Sequence, residues 1–365
     1  METEDVKHPF ILREMIRIAK YGEQYFTFKD SSSIANFVMN LNEAVEGPEY
    51  KAIPDSTDKI GNLWLYAQGN SYIEGRISKD ENESIIECRA EETTSQNLNN
   101  EVQLMNQFLE SRPKKVKAFP VDNPETQKYL AETIVKDLEI FLNQPFANRQ
   151  DVFEKVLTIV EKPESDFFTK DAEAADNVAH GASLEIEDLG LTVDDVAQSL
   201  QKWFVQNDTT TLDAVLMQDY DFDEETAEYL SNVLSGSIEQ VGRKQKMNNL
   251  KAEVESITGT NLSDEFNFIF YQVLDSQVFV PDENGDVTVN YKLTGSPIIN
   301  DTINNRLFSE QQQSMIVAFA VIFLLVWAQL KSFKRSVFAY IPLALTVYTS
   351  YGIMGLFSIP LNVAT

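Results

Sequence analysis

The contrast between apolar and polar positions is sharpest at the C-terminal end of the chain. Ser314 to Leu330 carries no charge, and Met315 to Trp327 is apolar at every position. After Lys331-Ser332-Phe333-Lys334-Arg335, the chain from Ser336 to Thr365 is again free of charge. Such runs predict two transmembrane α-helices, 314–330 and 336–365, because a helix in lipid satisfies its own backbone and exposes only apolar side chains. At about 1.5 Å per residue the first run covers roughly 25 Å, so it draws on Gln311-Gln312-Gln313 or meets a thin bilayer. A hairpin buried in a large soluble core is the competing reading.

Upstream the pattern is that of a folded domain. Phe10, Ile11, Met15, Ile16, Ile18 and Ala19 recur at helical spacing over 8–25, with Pro9 suited to the first turn. Ser31-Ser32-Ser33 can cap a second helix bearing Ile34, Phe37, Val38, Leu41 and Val45, which Gly47-Pro48 ends. Pro54-Asp55-Ser56 opens a third, stopped by Gly69-Asn70. Strands are predicted at 84–91 and 116–121, with a helix over 94–109 between them. Residues 1–123 therefore read as the first part of an α+β domain. Acidic amphipathic segments then follow one another at 124–143, 149–162, 192–206, 209–218, 223–256 and 263–275. They predict a mostly helical insertion over 124–275. The α+β pattern returns over 276–313: Val278-Phe279-Val280 and Val287-Thr288-Val289 flank Asn284-Gly285, the strongest short hairpin signal. A helix beginning near Ile298 is expected to run unbroken into the first span.

Charge then orients the spans. Lys331, Lys334 and Arg335 make 331–335 a short basic loop, which favours the cytoplasmic side and puts residues 1–313 outside the cytoplasm. Residues 1–25 have no signal-peptide layout, so the chain is expected to be the middle of a longer multi-pass cell-membrane protein. The net charge of −27 argues against nucleic-acid partners and against docking on anionic lipid.

Candidate chemistry is sparse. Cys88 is the single cysteine and His8 and His180 the only histidines, which excludes an internal disulfide and disfavours a histidine-based centre. Asp219, Asp221 and Asp223 share the spacing that opens a calcium loop, but Glu224 and Leu230 stand where glycine and glutamate belong, so they read as a solvated helix start. Asp282, Asn284 and Asp286 read as a turn, and Arg112, Lys114, Lys115 and Lys117 as a solvated basic segment. No nucleophile–base pair, phosphate loop or metal cluster emerges, which predicts neither catalysis, cofactor nor metal. In the second run, Gly352 and Gly355 suit close packing between helices, and Pro342 and Pro360 suit the shaping of helix ends. Asn82, Asn207, Asn261 and Asn300 lie in N-glycosylation triplets.

Several of these stretches together resemble a known family. They are Thr294-Gly295-Ser296-Pro297, Asn304-Asn305-Arg306-Leu307, Lys331-Ser332-Phe333 and Tyr340-Ile341-Pro342-Leu343. Gly352-Ile353-Met354-Gly355-Leu356 and Ile359-Pro360-Leu361-Asn362-Val363-Ala364-Thr365 complete the set. This set is similar to the resistance–nodulation–division (RND) superfamily, in the lipid-exporter (MMPL) branch that also holds the sterol-sensing helices of Patched-like proteins. The likeness is specific over 290–365 and looser over 8–90. It implies a membrane protein with an α+β, ferredoxin-like porter domain outside the cytoplasm, followed by two transmembrane α-helices; residues 124–275 depart from the family pattern and read as a helical insertion. It further implies proton-driven export of hydrophobic or lipidic substrates; the expected partners are the bilayer, further spans of the same protein and a second copy. A sterol-sensing, Patched-like sensor without proton-driven transport is the alternative, and a membrane-anchored docking domain the third reading.

Overall fold

The computed structural model describes residues 1–26, 28–47, 50–66, 69–90, 95–206 and 210–356. Its contacts divide the chain into two units, one of 1–91 and 112–291, the other of 92–111 and 292–365.

The first unit opens with the short strand β1 (Glu2–Thr3) and helix α1 (Pro9–Tyr25). His8 caps α1 by accepting the Phe10 amide on Nδ1 at 3.3 Å, and Pro9 occupies the first turn, where its missing N–H costs nothing. Strand β2 (Phe28–Ser32) leads to α2 (Ile34–Glu46), whose N-terminus is closed by a capping box between Ser33 and Asn36. Helices α3 (Thr57–Leu65, capped by Ser56) and α4 (Ser71–Glu74) precede β3 (Glu87–Ala90), which pairs antiparallel with β2. Helix α5 (Ser95–Ser111) belongs to the second unit, and the chain re-enters the first at Arg112, just before β4 (Lys115–Pro120).

Two long amphipathic helices follow, α6 (Pro124–Leu142, capped by Asn123) and α7 (Arg149–Val160). Next come α8 (Ala172–Gly181), α9 (Ser183–Asp188), α10 (Val193–Gln206) and α11 (Leu212–Tyr220). Helix α12 (Glu224–Thr258) begins at the cap Asp223, which accepts the Thr226 amide at 2.9 Å. The short α13 (Asn267–Phe270) and strands β5 (Gln277–Pro281) and β6 (Val287–Asn290) complete the unit.

Two apolar cores organise these elements. The larger is built on α1, α2, α3, α6, α7, α13 and the C-terminal half of α12, with Ile11, Leu12, Met15, Ile134, Leu138 and Phe270 fully enclosed. The smaller joins α8–α11 to the N-terminal half of α12 through Val178, Ile186, Leu200, Leu216, Leu230 and Leu234. The 35-residue α12 thus serves both cores. The segment 124–275, predicted as one insertion, contributes α6, α7 and α13 to the same core as α1; its separate core lies within α8–α12.

The sheet departs from the predicted hairpin. Strands β5 and β6 do not pair with each other; the order is β1-β6-β4-β5, every pairing antiparallel. Strand β4 lies between them, with Val116 opposite Pro281 on one side and Val287 on the other. The connection carrying Asn284-Gly285 therefore crosses the end of β4, and a Cβ added to Gly285 would sit 2.3 Å from the Val116 carbonyl oxygen. Glycine is required there by close backbone approach and not by a hairpin turn.

The second unit contains α5, α14 (Ser296–Leu330) and α15 (Phe333–Leu356); α5 and α15 each pack on α14. Here the expected fold class is corrected. The protein is predominantly helical with a small sheet, not an α+β porter followed by two membrane helices. Among the described residues one helix segment, Gln312–Leu330, is long and apolar enough to cross a membrane. Its Ile316, Val317, Leu324 and Leu325 are all more than half exposed. Helix α15 carries Lys334 and Arg335 in its first turn. It also bears hydroxyls on Ser336, Tyr340, Thr346, Tyr348, Thr349 and Ser350. Residues 357–365 of the expected second span lie outside the described residues.

Candidate functional site

Helix α1 is enclosed on most of its circumference, so the charged side chains it carries have little water to reach. Glu14 and Arg17 are nearly inaccessible, and both are satisfied by partners from distant parts of the chain. Arg17 grips Asp137 of α6 in a fork, Nε to Oδ1 and Nη2 to Oδ2, each 2.8 Å. It also donates to Glu14 Oε1 at 2.9 Å and Gln272 Oε1 at 3.1 Å. Glu14 in turn receives Arg112 Nε at 2.8 Å and Nη2 at 2.7 Å, and the Tyr291 hydroxyl at 3.2 Å. Nearby, Arg13 holds the buried Asp275 in a second fork and donates to the Ile53 carbonyl at 3.1 Å.

The electrostatics follow from burial set against pairing. Burial pushes the Glu14 carboxyl upward, but the Arg112 and Arg17 guanidinium groups outweigh it and hold Glu14 below the ordinary carboxylate range. At Asp275 burial prevails over Arg13, and its carboxyl is pushed up to about 6. Burial likewise drives the Tyr291 phenol upward, reinforced by the neighbouring Glu14 charge. A void of about 10 Å³, roughly one water molecule, lies among Arg13, Arg17, Asp137 and Gln272.

Ile16 and Phe268 line that void and also a much larger cleft. The cleft, about 600 Å³, is formed by α1, β2 and α2 on one side and α12, α13 and the turn before α13 on the other. Its volume falls within the range of small-molecule sites. Ile16, Ala19, Met39 and Phe268 supply apolar surface, with the Phe268 ring tilted at 59° against Phe141, 4.8 Å between ring centroids. Asn36, Asn248 and Asn267 add neutral polar groups. The charged residues of the lining are largely arranged in pairs. Lys20 meets Glu23 at 2.8 Å, Lys51 meets Glu43 at 2.8 Å, and Asp264 receives Lys251 at 2.9 Å. Burial raises Glu23, but Lys20 and the Ser31 hydroxyl and amide outweigh it, leaving the carboxyl lowered. A cleft with apolar walls and a charged, hydrogen-bonding rim suits an amphiphilic ligand.

The residues singled out in the sequence lie elsewhere. Lys331 adopts the left-handed conformation that closes α14, its amide donating to the Trp327 carbonyl at 2.9 Å. Lys334 and Arg335 are exposed in the first turn of α15, so the expected loop 331–335 shrinks to its first two residues. Pro342, expected near the start of its helix, lies inside α15; the helix continues through it, and Thr346 Oγ1 donates to the Pro342 carbonyl at 2.8 Å. Gly352 is helical, with no atom among the described residues within 4 Å of where a Cβ would stand. Gly355 falls in the same helix, and Pro360 lies outside the described residues. Arg112, read as solvated, is a member of the buried network; its neighbours in sequence gave no hint of Glu14 across the fold. Asp219 accepts Ser199 Oγ at 2.6 Å and Lys202 Nζ at 2.9 Å. Sequence reasoning missed the network and the cleft. One signal was available: Arg13, Glu14 and Arg17 stand among Ile11, Leu12, Met15, Ile16 and Ile18, with too little polar surface around them for a solvated stripe.

No protein-family model, curated protein or solved structure matches this chain.

Proposed function

We propose that this chain is part of an RND-type membrane transporter that moves hydrophobic or lipidic molecules, with residues 1–313 outside the cytoplasm and the cleft on α1 and α2 taking the substrate. The observation that supports this most is α14, a single 35-residue helix whose segment Gln312–Leu330 exposes its large apolar side chains. A helix of that composition is stable with its apolar surface in lipid and not in water. The resemblance of 290–365 to the RND superfamily supports the choice of transporter class.

The test is in two steps. Cells expressing the chain are fractionated, and a membrane-impermeant maleimide is applied to a Cys88→Ala variant carrying Asp188→Cys. The chain is expected in the membrane fraction, released by detergent and not by alkaline carbonate, with position 188 labelled from outside. Efflux of a fluorescent lipid analogue from vesicles is then followed with and without a proton gradient. Recovery in the soluble fraction, or labelling only after the membrane is breached, would refute the proposal.

A sensor without proton-driven transport is the second reading, favoured by one observation: Gln312–Leu330 carries no ionisable side chain. Gradient-independent sterol binding with no efflux selects it.

A further inference from the structure

Two of the N-glycosylation triplets, at Asn82 and Asn261, lie wholly among the described residues, and the fold treats them differently. Helix α12 ends at Thr258, and Gly259, in the left-handed conformation, closes it by donating its amide to the Glu255 carbonyl at 2.8 Å. Leu262 then turns into the larger core at 2% exposure, its amide donating to Glu255 Oε1 at 2.7 Å. The residues on either side, Asn261 and Ser263, are both exposed, and among the described residues neither side chain has a hydrogen-bond partner. At the other triplet Asn82 Oδ1 accepts the Ser78 hydroxyl at 2.8 Å, and Ser84 is 2% exposed, its hydroxyl turned onto Met15 Sδ.

We propose that Asn261 is an N-glycosylation site whose glycan stands beside the mouth of the cleft. This rests on the reading that residues 1–313 lie outside the cytoplasm, where a transferring enzyme and its lipid-linked donor meet the chain. Such an acceptor needs a carboxamide and, two residues on, a hydroxyl, both within the enzyme's reach, with no proline between them and open surface for a bulky sugar. Asn261-Leu262-Ser263 meets each condition in the folded state, and the inward leucine turns its two neighbours outward. In the transfer, Nδ2 of Asn261 attacks C1 of an oligosaccharide held on a lipid pyrophosphate. The Nδ2–C1 bond forms, the C1–O bond to the pyrophosphate breaks with its electron pair leaving on oxygen, and Nδ2 gives up one proton. Asp264 and Glu265, in the turn that follows, line the cleft, so the sugar borders it from the α12–α13 side.

The experiment uses the full chain in two settings. Purified without sugar in detergent, it is incubated with an oligosaccharyltransferase and a lipid-linked oligosaccharide, and occupancy of each triplet is read by peptide mass spectrometry. Asn261 is expected to be modified about tenfold faster than Asn82, whose serine is uncovered only by local opening. Ser263→Ala should abolish the modification and leave the thermal midpoint unchanged. The chain is then expressed in cells that glycosylate proteins outside the cytoplasm, where Asn261 is expected to carry a glycan removed by peptide:N-glycosidase. Asp286→Thr, which completes a triplet at the exposed Asn284, is the control in both settings. An unmodified Asn261 beside a modified control overturns the site and leaves the outside placement standing. Modification of both in the purified chain and of neither in cells overturns the proposal through the placement of residues 1–313 itself. Equal rates at Asn82 and Asn261 overturn selection by the fold.

Discussion

Replacing Arg17 with methionine isolates the energetics of the buried network. The guanidinium makes four hydrogen bonds, two to Asp137 and one each to Glu14 and Gln272, all between 2.8 and 3.1 Å. After the substitution Glu14 still has both Arg112 donors and the Tyr291 hydroxyl. Asp137 keeps only the Gln272 amide at 3.0 Å, and at 4% exposure it cannot recruit bulk water. The cost is therefore that of a stranded buried carboxylate, about 3–5 kcal/mol, and not the sum of the lost bonds. At about 2–4 °C per kcal/mol for a domain of this size, the midpoint should fall by roughly 10 °C. Because the penalty resides in Asp137, Arg17→Met combined with Asp137→Leu should be far less unstable than the two single changes summed, with a coupling of about 2 kcal/mol or more. Arg17→Lys keeps the charge but cannot fork onto Asp137 while reaching Glu14 and Gln272, so it should fall between wild type and Arg17→Met. Thermal and urea unfolding of the full chain in detergent, followed by tryptophan fluorescence, measures all four variants. A loss below about 1 kcal/mol for Arg17→Met, or strict additivity in the double variant, would contradict the reasoning.

Three further outcomes follow from other parts of the fold. Gly285→Ala forces a Cβ to within 2.3 Å of the Val116 carbonyl oxygen, so β4 and the crossing segment must separate. A loss of roughly 2–4 kcal/mol in urea unfolding is expected, whereas Gly236→Ala, inside α12 with nothing within 4 Å, should be neutral or stabilising. Burial lowers His8 to about 4, so the fold favours its neutral form while the unfolded chain takes up a proton below about 6.5. Its contribution is intact above that pH and is lost as pH falls towards 4; the stability advantage of wild type over His8→Asn should shrink by about 2–3 kcal/mol between pH 7 and 4. Burial and the nearby Glu23 and Glu87 raise Cys88 to about 11, so its alkylation by iodoacetamide at pH 8 should be roughly a hundredfold slower than that of an exposed thiol and should accelerate on unfolding in urea.

Much of the helical layout is legible without the structure because helix ends are written locally. His8-Pro9, Ser33 with Asn36, Ser56, Asn123 and Asp223 each lie within three residues of the amide or turn they serve, so the starts of α1, α2, α3, α6 and α12 could be read from short windows. Helices α8 and α9 escaped notice because the inward face of α8 is Ala174, Ala175, Val178 and Ala179, small side chains with a weak periodic signal.

Pairings between distant segments depended on the tertiary structure. Asn284-Gly285 has the local chemistry of a hairpin, yet β4 pairs on both sides of Val116 and turns the glycine into a crossing point. Arg112 has lysines for neighbours in sequence and Glu14 as its partner in space. Lys20, Glu43 and Asp264 line one cleft although more than two hundred residues separate the first from the last, because the packing of α1, α2 and the α12–α13 region brings them together. Periodicity and caps depend on neighbours within a turn or two, and the chain alone determined them. Burial of a charge, the order of strands and the walls of a cleft depend on which surfaces the cores exclude from water, and only the folded structure decided those.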